Sequence, residues 1–238
     1  MNVMKKMTLL LCIFVPFLTI PSSANQYGVL LKNYHPINEM TVVQQLSNYE
    51  YIKEMLLLPN EEFDERSVLN IIQSLNRIDS AIMQKLVNNK VYVKLFNGSI
   101  INEPFANHLA GVRPRGYVDT DMKWDSVPGM GGNYVVLVKI GHSEKGQGHG
   151  SHNLELHELA HSIDAIVFDN IRHSMEFLAA WNTEVSTIFP NQPYFNDYPE
   201  EFFAEAFAMY YTSNETRELL AENAPLTAKY IRSLSLMK

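Results

Sequence analysis

One cysteine occurs in 238 residues, Cys12, and it lies inside an apolar N-terminal stretch. A disulfide framework is therefore excluded for the rest of the chain, which must hold itself with a hydrophobic core and any bound metal. Beyond that stretch no apolar run approaches the roughly 18 residues of a membrane-spanning helix. Basic residues are also scarce: 19 Lys and Arg stand against 26 Asp and Glu, a formal charge of −7. That balance argues against nucleic acid or an anionic membrane surface as partner. There is no internal repeat and no low-complexity tract, so repeat and linker architectures drop out as well.

What is present begins with an export pattern. Lys5 and Lys6 precede the apolar stretch Met7 to Ile20, and Ser22, Ser23 and Ala24 supply small residues before a cut at Asn25. The expectation is a signal peptide over 1–24 and a secreted chain without stable membrane insertion. Cys12 follows Leu11, whereas lipoprotein processing favours a small residue before the cysteine.

The next part mixes helix and strand signals. Apolar spacing predicts a helix over 37–57, a second over 60–78 with acidic Glu61 and Glu62 in its first turn, and a third over 79–87 capped by Asp79. Residues 90–96 turn β-rich, and Asn97-Gly98 is a turn signal. A Gly- and Pro-rich loop spans 113–132. Residues 133–140 read as a strand, and as an edge strand over a cleft it would let Gly131 and Gly132 admit a substrate backbone closely. From His152 onward the pattern is helical: 154–168, 170–181, 200–211 and 226–236, with a Pro-bounded loop over 189–199. The fold class expected is α+β, a mixed lobe over 25–151 and a helical lobe over 152–238, with a cleft between them.

Inside the helical stretch 154–168 lies His157-Glu158-Leu159-Ala160-His161. Two histidines four apart share one helix face, one turn from each other, so both imidazoles reach one small cation. The glutamate beside the first can reach a water on that cation. This H-E-x-x-H spacing is the zinc-peptidase pattern. Buried His and Glu on an apolar helix are costly without a partner, and a single metal ion serves all three.

A catalytic zinc takes three protein ligands and keeps one place for water. Downstream candidates for the third are Asp164, Glu176, Glu184, Glu200, Glu201 and Glu205. No further histidine completes a metzincin pattern. Asp164 can be a ligand or can orient a histidine. Glu184 has no supporting pattern. Glu201 and Glu205 lie one turn apart on a helix buried by Phe202, Phe203 and Phe207, so one can face a metal while the other holds a ligand imidazole by its second nitrogen. Tyr194, with Tyr198 as its rival, is placed to donate to an oxyanion.

These residues resemble a known family. His157-Glu158-x-x-His161, then Tyr194 and Glu201-Phe202-Phe203-Ala204-Glu205-Ala206-Phe207, are similar to the lethal factor-like zinc metallopeptidases, and more closely to the small secreted Pro-Pro endopeptidases among them. The likeness includes the segment from Trp124 to Gly132, the approach from Gly148 to His157, and Asn223-Ala224-Pro225. It covers roughly residues 90 to 238. The resemblance implies one Zn2+ held by His157, His161 and Glu201, with Glu158 as general base and proton donor and Tyr194 as transition-state donor. It implies an extended Pro-rich substrate, in a surface protein, cut between two prolines. Proline lacks an N–H and fixes φ, so a cleft shaped to it can be selective. Arg115, Tyr117, Trp124, Gly131, Gly132 and Glu200 are the expected substrate contacts, with Trp124 as a wall. Arg115-Gly116-Tyr117 departs from the Lys-Gly-Trp of a relative, which bears on flanking preference. The competing readings are a secreted zinc protease of other specificity and a non-catalytic peptide-binding relative.

Overall fold

The computed structural model describes residues 27–115 and 121–237. The signal-peptide expectation and Tyr117 lie outside the described residues. Five strands form one sheet: β1 (Val29–Leu30), β2 (Leu56–Leu58), β3 (Tyr92–Phe96), β4 (Gly129–Met130) and β5 (Val135–Lys139), in the order β1-β2-β3-β5-β4. The middle pairs β2–β3 and β3–β5 are parallel, and the outer strands β1 and β4 run antiparallel to their neighbours. The class is α+β, and among the described residues all strands precede residue 140.

The expected helix over 37–57 is instead three short helices, α1 (His35–Asn38), α2 (Thr41–Gln44) and α3 (Tyr49–Met55), and it ends in a strand. Leu56, Leu57 and Leu58 are buried and pair with β1 on one side and β3 on the other, so sheet pairing overrides leucine's helix preference. Next come α4 (Glu65–Asn76) and α5 (Ser80–Asn88). α4 starts later than expected because Asp64 caps it, accepting from the N–H groups of Arg66 and Ser67. Asp79 does not cap α5 with its side chain; it accepts from the Tyr211 hydroxyl at 2.9 Å.

The remaining helices are α6 (Leu154–Ser162), α7 (Met175–Ile188), α8 (Pro193–Asp197), α9 (Pro199–Thr212), α10 (Asn214–Asn223) and α11 (Pro225–Ser233). The predicted helix over 154–168 passes into a π-helical turn at Ile163–Val167, which turns the chain after the motif. The predicted loop over 189–199 contains α8, begun by Pro193 at its first position. α10 was not expected; a reciprocal cap between Ser213 and Thr216 starts it. Strand 133–140 is not the sheet edge: β5 is internal, and β4 is the edge that borders α6.

One hydrophobic cluster runs from Leu31 to Leu234, taking in β3 and β5 with α6, α7 and α9. Phe202, Phe203 and Phe207 of α9 are fully buried, and Phe177 of α7 meets Phe203 edge-on at 5.7 Å. Each such ring stabilises the fold by on the order of 2 kcal/mol. That packing holds α9 against α6, the pair on which the site depends. Among the described residues no helix is long and apolar enough to cross a membrane.

Candidate metal centre and catalytic cleft

Asn153 starts α6 by accepting from the Leu156 N–H at 2.9 Å. Leu156, Leu159, Ala160 and Ile163 bury one side of the helix, and His157 and His161 face the other. α9 crosses α6 with Glu200 and Glu201 in its first turn, where the helix dipole favours negative charge.

The three groups converge. His157 Nε2 and His161 Nε2 are 3.3 Å apart, and Glu201 Oε2 lies 3.5 Å from each. Four tetrahedral ligands with bonds of about 2.0–2.1 Å have edges of about 3.3–3.4 Å, so the donor set is spaced as a small cation requires. Glu205 accepts from His157 Nδ1 at 3.0 Å, which puts the proton on that nitrogen and leaves the Nε2 lone pair facing the cluster. Lone pairs and a carboxylate aimed at one point repel unless positive charge sits between them. Without a metal ion, that positive charge must come from a proton on a histidine, and the pKa shifts say so. Burial opposes charge on His157, yet Glu201 and Glu205 carry its pKa up to about 10. Burial likewise opposes ionised Glu205, but His152 and His157 pull it down to about 2. Glu201, held by both histidines against its burial, lies well below the usual carboxylate range. Among the described residues this is the one His/Glu group able to hold a metal ion.

Glu158 lines the same cleft as the two histidines. Burial raises its pKa, partly offset by the two histidines and by the Gly131 N–H. Edge strand β4 runs close to it. A β-carbon on Gly129 would stand 2.7 Å from Glu158 Cγ, and one on Gly131 would stand 1.9 Å from the Glu158 carbonyl oxygen. Gly131 is thus glycine because α6 presses on it, a reason different from the expected substrate approach, though both Gly131 and Gly132 also line the cleft. Gly132 has φ +83°, and its N–H donates to the Ser162 hydroxyl at 3.1 Å, tying the turn after β4 to α6 again.

Residues of α8, the start of α9, and Pro114 and Arg115 also line the cleft. Burial and the nearby Glu201 carboxylate raise the Tyr194 pKa, partly offset by Arg115. Arg115 spans the adjacent glutamates, 2.8 Å from Glu200 and 2.9 Å from Glu201, with its guanidinium 4.1 Å above the Tyr198 ring. Tyr198 is therefore a platform for Arg115, and Tyr194 is the phenol beside the metal group. Burial works against its charge, but the two carboxylates keep Arg115 protonated. Trp124 lines the cleft as expected, and the cleft encloses ≈ 720 Å³.

Other placements differ from the sequence reading. Asp164 touches neither histidine. Fully buried on the π turn, it accepts from the Arg172 N–H at 2.9 Å and pairs with the Arg172 guanidinium, whose other end lies 3.8 Å from Glu200. Glu184 is buried in α7 and caps α11, accepting from the N–H groups of Leu226 and Thr227 at 2.7 and 2.9 Å. Arg172 and His152 carry no sequence signal that marks them; Arg172 reaches the cleft because the π turn redirects the chain.

Imidazoles from one helix and a carboxylate from a second, meeting in a cleft beside a motif glutamate, define an HExxH metallopeptidase site. The sequence profile described as anthrax toxin lethal factor, N- and C-terminal domain, matches residues 43–234, and the chain belongs to that family. A Pro-Pro endopeptidase from Paenibacillus alvei is 38% identical over 183 residues, covering 77% of this chain and 84% of that one. A Pro-Pro endopeptidase from Clostridioides difficile is 36% identical over 197 residues, covering 83% and 88%. The solved structure of the Paenibacillus alvei Pro-Pro endopeptidase aligns with a TM-score of 0.73, covering 77% of this chain and 99% of that one.

Proposed function

We propose that the chain is a secreted zinc endopeptidase that cleaves Pro-Pro bonds in extended, proline-rich segments of surface proteins. The convergence of His157, His161 and Glu201 carries the reading, with the curated relatives supporting the bond cleaved. Two imidazoles and one carboxylate form a donor set that zinc favours in catalytic sites. When bound there, zinc supplies Lewis acidity, making water nucleophilic near neutral pH and polarising a carbonyl.

The chain's own residues do the rest. Glu158, its pKa raised by burial, accepts the proton of the attacking water and returns it to the leaving nitrogen. Tyr194, kept protonated, donates its hydroxyl to the oxyanion as charge develops there. Glu205 holds His157 in the tautomer that presents Nε2. The free edge of β4 offers backbone groups along which an extended peptide aligns. A proline chain has few N–H groups to give, so recognition falls on the walls: Trp124, Pro114 and Phe195.

Export rests on Lys5, Lys6 and the apolar stretch after them, and N-terminal sequencing of the secreted product should begin at Asn25. The deciding experiment is mass spectrometry of a peptide library varied around the cut, with and without chelator. Cleavage between paired prolines, abolished by chelator, is expected. Indifference to proline would reject the specificity, and chelator-resistant cleavage would reject the zinc. E158Q should lose roughly a hundredfold or more in kcat while binding one zinc as before.

A further inference from the structure

Glu205 carries more than one histidine. Its Oε2 takes the His157 Nδ1–H at 3.0 Å, and its Oε1 takes both the backbone N–H of His152 at 3.0 Å and the His152 ring Nδ1 at 2.6 Å. Glu205 is almost wholly buried at 3% side-chain exposure, against 22% for His152. His152 stands immediately before the cap residue of α6, at the end of the Gly- and His-rich link. One carboxylate of α9 therefore fastens the start of α6 with one oxygen and the metal-facing imidazole with the other.

The last torsion of a glutamate is broad, so one hydrogen bond leaves the carboxylate free to rotate. Two donors from one residue on Oε1 remove that freedom and hold Oε2 towards His157. We infer that His152 is a positioning residue for the metal centre: through Glu205 it fixes the His157 ring in the orientation that binds the ion. The inference rests on the zinc reading above. It asks for no change of protonation at His152, only for its Nδ1–H. The backbone N–H survives any substitution, so the ring's share is smaller than that of Glu205 itself.

The test is zinc affinity of the metal-free full chain, measured by competition with a chromophoric chelator and independent of turnover. H152L, which keeps bulk and loses the donor, should bind zinc roughly five- to tenfold more weakly, below the 10–100-fold typical when a ligand's direct partner is lost. H152N, whose side-chain amide carries an N–H at the same branch position, should bind like the unaltered chain. In an E205A background H152L should cost nothing further. Should H152L fold poorly by circular dichroism, H152S, too short to reach Glu205, serves in its place. Unchanged affinity in the donor-less variant, no rescue by H152N, or a full loss that persists on E205A overturns the inference. Failure of the unaltered chain to bind zinc would overturn the zinc reading, and this inference with it.

Discussion

The carbonyl oxygen of Glu158 lies 1.9 Å from where a β-carbon on residue 131 would stand. The residue just after the edge strand and the motif helix are thus in backbone contact at Glu158, and only glycine permits it. G131A must push β4 off α6. The expected cost is about 1–3 kcal/mol of stability, in the range of overpacked sites, with a loss of activity larger than the stability change explains. Urea unfolding and peptide kinetics on the same preparation check both, and a variant with unaltered kinetics would show the contact to be dispensable.

Burial and the Glu201 carboxylate raise the Tyr194 pKa and so keep its hydroxyl a donor. Y194F keeps the ring and removes the donor. kcat should fall about a hundredfold with KM little changed, since an oxyanion donor acts on the transition state. A change confined to KM would make Tyr194 a substrate contact.

Asp164 and Arg172 anchor the turn after the motif helix. R172M would leave a fully buried carboxylate without its counter-ion. A loss of about 3 kcal/mol is expected, typical of removing one partner from a buried pair. Thermal unfolding reads it, and D164N/R172M should be less damaged than R172M alone if the stranded charge is the cause.

Chelator-treated protein should show a distinctive pH profile. His157 is raised from 6.5 to about 10, so its contribution is complete below 6.5 and lost as pH rises through 10. Glu205 is lowered from 4.5 to about 2, so its contribution is present above 4.5 and lost as pH falls through 2, with Glu201 moving the same way. These are partners in one cluster, so the limbs report one interaction from two sides. Stability should peak between about pH 5 and 6.5 in urea titrations. Saturating zinc should restore the alkaline side, because the ligand nitrogens bind metal only when unprotonated. A flat metal-free profile from neutral to alkaline pH would contradict the cluster's charge balance.

Much of the centre was readable because its signals are local. Four-residue spacing puts His157 and His161 on one face of any helix, and the same geometry pairs Glu201 with Glu205. Strands β3 and β5 showed in their Val-rich runs. The failures share one cause, competition from distant chain. Leu56 to Leu58 became a strand because β1 and β3 offered it partners. β5 moved inside the sheet because β4 took the edge, and Asp79 gave up its cap to Tyr211. Tyr194 and Tyr198 could not be separated by spacing, since what distinguishes them is Arg115, which stacks on Tyr198, and Glu201, whose charge bears on the Tyr194 hydroxyl.

Taken alone, the order of residues determined the helix that carries the histidines, the glutamate beside them, and the paired carboxylates, because an α-helix converts separation along the chain into direction. Only the folded molecule decided that Glu201 meets both imidazoles, that Asp164 turns to Arg172, and that Gly131 yields to α6. Those outcomes depend on how α9 and β4 pack on α6, and packing is set by contacts between segments far apart in sequence.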